Sequence, residues 1–77
     1  MTLKAIHEYF QTRQMAGRVI TNRKKHQVIF KVEKKHLLAL PLELEQFRPQ
    51  GVEFVVEEMN VWDRFKLRKH CFRMELR

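Results

Sequence analysis

The stretch RVITNRKKHQVIFKVE, residues 18–33, decides the fold. Residues 18–21 are β-branched at Val19, Ile20 and Thr21, a pattern that suits a pleated strand. Residues 27–33 alternate, with Val28, Phe30 and Val32 on one face and Gln27, Ile29, Lys31 and Glu33 on the other. Between the runs lies Asn22-Arg23-Lys24-Lys25-His26, too polar and too like-charged to bury. The reading is a β-hairpin with a basic tip.

Working outward, residues 3–14 repeat at a helical period. Leu3, Ile6 and Phe10, with Tyr9 beside them, oppose Lys4, His7, Glu8 and Gln11. Thr2 is placed to cap this helix, and Gly17 marks its natural stop. The apolar stripe must pack on something, and a chain this short offers mainly a sheet. After the hairpin, Leu38, Leu40, Leu42 and Leu44 alternate with Ala39, Pro41 and Glu43, which reads as an edge strand. The alternative is a short helix over residues 42–47 with Pro41 at its first position. A turn at Pro49-Gln50-Gly51, with glycine at its fourth position, leads into alternating residues 52–57.

Residues 60–77 admit two readings. As a helix, Asn60 caps it and Asp63 completes a partial capping box. As a hairpin, Val61, Phe65 and Leu67 share one face and Phe72, Met74 and Leu76 the next, with a change of phase near Lys69-His70. The hairpin buries more of the apolar residues and is preferred. The expected fold is therefore α+β in one domain, residues 1–77: an N-terminal helix on an antiparallel sheet of four or five strands.

Composition narrows the function classes. The formal charge is +7 over 77 residues, with 44% apolar or aromatic residues and only two Gly and two Pro, so disorder is a poor reading. Such a balance points to polyanions, or at least to solubility. Residues 1–38 carry nine Lys/Arg against two acids, residues 39–60 one against five, and residues 61–77 six against two. An acidic centre between basic ends, together with an edge strand near Pro41, favours a homodimer. One cysteine, Cys71, excludes an internal disulfide and fits a reducing, cytoplasmic setting. No apolar run approaches the ~20 residues of a membrane helix.

Catalytic and metal readings find little support. Serine is absent, Asp63 is the only aspartate, and His7, His26, His36, His70 and Cys71 lack zinc-site spacing. On a strand, His70 and Cys71 point to opposite faces and cannot act as base and nucleophile. Neither enzyme activity, cofactor nor metal is expected. Two basic features remain. Arg23, Lys24 and Lys25 crowd three cations onto one loop, a cost that contact with phosphate relieves, although a solvated turn explains them equally. On the hairpin reading, Trp62, Arg64, Lys66 and Arg68 share a face with Arg73 nearby. A ring among cations suits single strands, while the size of Trp62 favours the core. No segment matches RNP1, GXXG or a C2H2 finger. The leading expectation is DNA or RNA binding through phosphates; the alternative is an interaction module that meets an acidic protein or its own copy.

Overall fold

The computed structural model describes residues 3–67 and 72–76. Helix α1 (Leu3–Thr12) ends earlier than the sequence suggests, and glycine is not its stop. Gln14 adopts φ 52°, its amide donates to the Gln11 carbonyl, and the Met15 amide donates to that of Phe10. This is the paired closure of a helix by a left-handed residue, with buried Met15 and Phe10 supplying the apolar contact. Gly17 instead opens strand β1 (Gly17–Asn22), where a Cβ would lie 2.8 Å from the Lys31 carbonyl oxygen and 3.3 Å from the Phe10 ring. The expected cap Thr2 lies outside the described residues.

Strand β1 turns through residues 23–26 into β2 (Gln27–Val32), as the alternation requires. The next segment departs from its edge-strand reading. A 3-10 turn at Lys34–His36 leads to helix α2 (Leu40–Leu44), with Pro41 in its first turn, and a second 3-10 turn at Glu45–Phe47. Proline there costs no hydrogen bond, because that amide has no partner within the helix anyway. Leu40 and Leu44 are buried while Leu38 and Leu42 are exposed, a spacing of four rather than two. The turn before strand β3 (Glu53–Glu58) starts at Pro49, whose carbonyl accepts from the Val52 amide. Gly51 takes the third position, at φ +83°, a conformation that favours glycine.

Residues 60–77 follow neither reading whole. Helix α3 (Val61–Leu67) comes first and strand β4 (Phe72–Leu76) second. The reciprocal cap decides the start: Asn60 Oδ1 accepts from the Asp63 amide and Asp63 Oδ2 from the Asn60 amide, both at 2.9 Å.

The result is the expected α+β fold, with α1 packed on a four-stranded sheet of order β3-β2-β1-β4. Its strand directions differ from expectation. Only β1 and β2 are antiparallel; β3 runs parallel to β2, and β4 parallel to β1. The crossover from β2 to β3, residues 33–52, has the dozen or more residues that parallel neighbours need, and residues 59–71 carry the chain from the β3 edge to the β4 edge. The sheet edges are accordingly β3 and β4, not a strand near Pro41.

One sheet face carries Val19, Val28, Phe30, Val32, Phe54, Val56, Phe72 and Met74 against Ile6, Tyr9 and Phe10 of α1 and Leu40 and Leu44 of α2. Phe10 stacks on Phe72 at 4.6 Å and on Phe30 at 6.2 Å. The Tyr9 hydroxyl donates to Glu43, tying α1 to α2. The opposite face carries Arg18, Ile20, Ile29, Lys31, Val55, Glu57, Arg73 and Glu75 by strand alternation. Here α3 meets β1.

Candidate nucleic-acid interface

The hairpin tip is built by its own backbone. Asn22 pairs with Gln27 as the last rung of the ladder, and Asn22 Oδ1 accepts from the Lys25 amide at 3.2 Å. His26 closes the turn at φ 50°, with its amide donating to the Arg23 carbonyl. Asparagine at the start of a turn makes this bond readily. Arg23, Lys24, Lys25 and His26 are all exposed. None of the three cations makes an ion pair among the described residues, whereas Arg18, Lys31 and Arg48 each have a glutamate.

The second set of candidate residues is arranged otherwise than on a strand. Trp62 and Arg64 belong to α3, as does Lys66 by position; Arg68 lies outside the described residues, and Arg73 is exposed on β4. Residues two apart on a helix point about 200° apart, so the common face dissolves. Trp62 is not core: it is 73% exposed, beside Val61 at 78% and Phe65 at 58%. The inward side of α3 is Asp63 and Leu67. As the only tryptophan, Trp62 should show a solvated emission that iodide quenches freely, and Trp62→Ala should change stability by less than about 0.5 kcal/mol. A shielded indole would contradict this placement.

Asp63 is held down by Arg18, a buried residue whose importance the sequence does not announce. Arg18 Nη1 donates to Asp63, while Nε and Nη2 form a bidentate pair with Glu75, the latter at 2.7 Å. Glu75's hydrogen bonds raise the guanidinium pKa most; burial lowers it, and Asp63 adds to the rise. For Asp63, burial pushes the carboxyl up. The Asn60 amide, the Arg18 hydrogen bond and the charges of Arg18 and Lys31 outweigh it, holding the pKa below the ordinary value. One clue was available: Asp63 is the only aspartate and sits in a capping box, which leaves one oxygen for a cation.

This clasp also fixes where α3 stands. Arg18 pairs with Lys31 and Arg73 at one end of the sheet, four residues or ~13 Å of strand from Asn22 at the other. The start of α3 and the hairpin tip therefore sit at different ends, and the two sets form two surfaces.

Beside the tip is a concavity of about 340 Å³, lined by Thr21, Asn22, Arg23, His26, Gln27, Val28, Pro49 and Val52. Among the described residues no three His, Cys, Asp or Glu side chains gather as a metal site, and no helix is long and apolar enough to cross a membrane. Fold and surfaces together define a small α+β protein on a mixed sheet with a basic hairpin. Compared with protein-family models, curated proteins and solved structures, the chain matches none.

Proposed function

We propose that this protein binds nucleic acid, mainly through the phosphate backbone, with the β1–β2 tip as its principal contact. The observation that supports this is the contrast in charge pairing. Arg18, Lys31 and Arg48 are neutralised by Asp63, Glu75, Glu57 and Glu45, while Arg23, Lys24 and Lys25 are exposed on one turn with no ion pair among the described residues. Adjacent like charges repel, and bound phosphate relieves that repulsion while releasing counterions. The short turn fixes the backbone that carries the three cations, so the ordering cost left on binding is that of their side chains. Arg64 and Arg73 supply further contacts at the other end.

Affinity for a labelled oligonucleotide should fall linearly with salt on logarithmic axes. With about four to six phosphates engaged, the slope is roughly −4 to −5 on duplex and shallower on single strands. Replacing Arg23, Lys24 and Lys25 together by Ala should reduce its size by about one for each phosphate no longer engaged, with stability nearly unchanged. An unchanged slope would make the tip a solvated turn. No binding by the parent at low salt would remove the nucleic-acid reading.

A second reading, self-association or an acidic protein partner, draws on the exposed Val61, Trp62 and Phe65 together with Arg64. Exposed aromatic and arginine side chains in one patch are the usual anchors of protein interfaces. Sedimentation at increasing concentration tests the dimer: Trp62→Glu should abolish any association that uses this patch.

A further inference from the structure

The concavity beside the hairpin tip is not used by a grip on phosphates alone. We infer that it receives one unpaired nucleobase, whose own phosphate rests against Arg23 and His26; this inference rests on the phosphate-binding reading above. Thr21 and Val28 are direct partners across the ladder on the face that α1 and α2 cover. Pro49 and Val52, from the loop entering β3, complete the apolar lining. The volume of about 340 Å³ falls at the small end of the ~300–1,000 Å³ typical of small-molecule pockets.

The chemistry of the lining selects the ligand. An apolar slot beside an exposed arginine and histidine calls for a flat, weakly polar body joined to an anion, as a nucleotide is. The Gln27 and Asn22 side chains point by strand alternation to the opposite face, where Gln27 Nε2 donates to Glu53 at 2.7 Å, so the slot offers a base an apolar surface and does not read its edge. A base stacked inside a duplex cannot enter it, so the pocket favours single strands, ends or extruded bases.

The experiment compares a short oligothymidylate with an abasic strand of equal length and equal phosphate count, over a series of salt concentrations. The intact strand should bind at least about fivefold more tightly, with the same salt slope. Thr21→Phe, which fills the slot and leaves every tip cation in place, should reduce the intact strand to the abasic affinity; Trp62→Ala should not. Photocrosslinking of a 4-thiouridine strand to the parent protein reads the site without any substitution, and attachment should fall within residues 21–28 or 49–52. Equal affinity of the two strands would overturn the base pocket and leave the phosphate reading standing. A base preference that survives in folded Thr21→Phe, or crosslinks confined to residues 61–67, would place the base on α3 instead. Binding by neither strand would remove both readings.

Discussion

Replacing Arg18 by methionine should cost about 3–5 kcal/mol, the range seen when one partner of a buried ion pair is removed. Arg18 is 4% exposed and Asp63 3%, so water cannot replace the missing guanidinium. Glu75 loses a bidentate partner at the same moment. For 77 residues at roughly 0.05–0.15 kcal/mol each, the whole stability is about 4–12 kcal/mol. The single replacement therefore removes roughly a quarter of it or more. Urea denaturation reads the loss as a lower midpoint. Adding Asp63→Asn and Glu75→Gln to Arg18→Met should recover much of it, because no unpaired charge then remains buried and asparagine can still accept the Asn60 amide. If the triple variant is no better than the single one, packing of the arginine stem is the cause.

The same cluster sets the acid limb of the stability curve. The folded pKa of Asp63 lies below its unfolded value, so its contribution is present above about pH 4 and lost as pH falls through the folded value. In Arg18→Met the hydrogen bond and charge of Arg18 no longer oppose burial, so the Asp63 pKa moves up from its value in the parent. That variant should lose less stability than the parent as pH falls below about 4. A parallel response of the two would show that Asp63 does not depend on Arg18.

Phe10→Ala should cost a comparable ~3–5 kcal/mol, through reduced burial plus the cavity left behind. Its ring is fully buried, stacked on Phe72 and Phe30, and lies edge-on to Tyr9 at 5.9 Å. It therefore joins α1 to β2 and β4. The approach is close because Gly17 has no Cβ, so neighbours have little freedom to collapse into the gap. Leu42→Ala is the control: Leu42 is 81% exposed, and the change should stay within about 0.5 kcal/mol. Similar losses from the two would mean that α2 presents a different face to the sheet.

Phe10 and Leu42 illustrate how far sequence reading reaches. The period of α1, the alternation of β1 and β2 and the charged tip are local patterns. Each was legible because neighbours in the chain are neighbours in the structure. The Asn60/Asp63 cap was equally legible, yet apolar spacing favours a hairpin there. That preference holds only if Val61 and Phe65 must be buried, and they are exposed. The leucines of residues 37–44 were ambiguous for a related reason: spacings of two and four coincide in so short a run, and only the covering sheet decides between them.

The sequence by itself determined the α+β class, the first helix, the central hairpin and the three cations at its tip. These follow from turn chemistry and periodicity over a few residues, where backbone geometry leaves few choices. Tertiary structure decided the parallel directions of β3 and β4, the exposure of Trp62 and the apolar slot beside the tip. It also decided the partners of Arg18, which lie 45 and 57 residues away. A buried arginine must find carboxylates, but nothing local specifies which ones. That choice belongs to the crossover that lays α3 over β1 and brings β4 to its side.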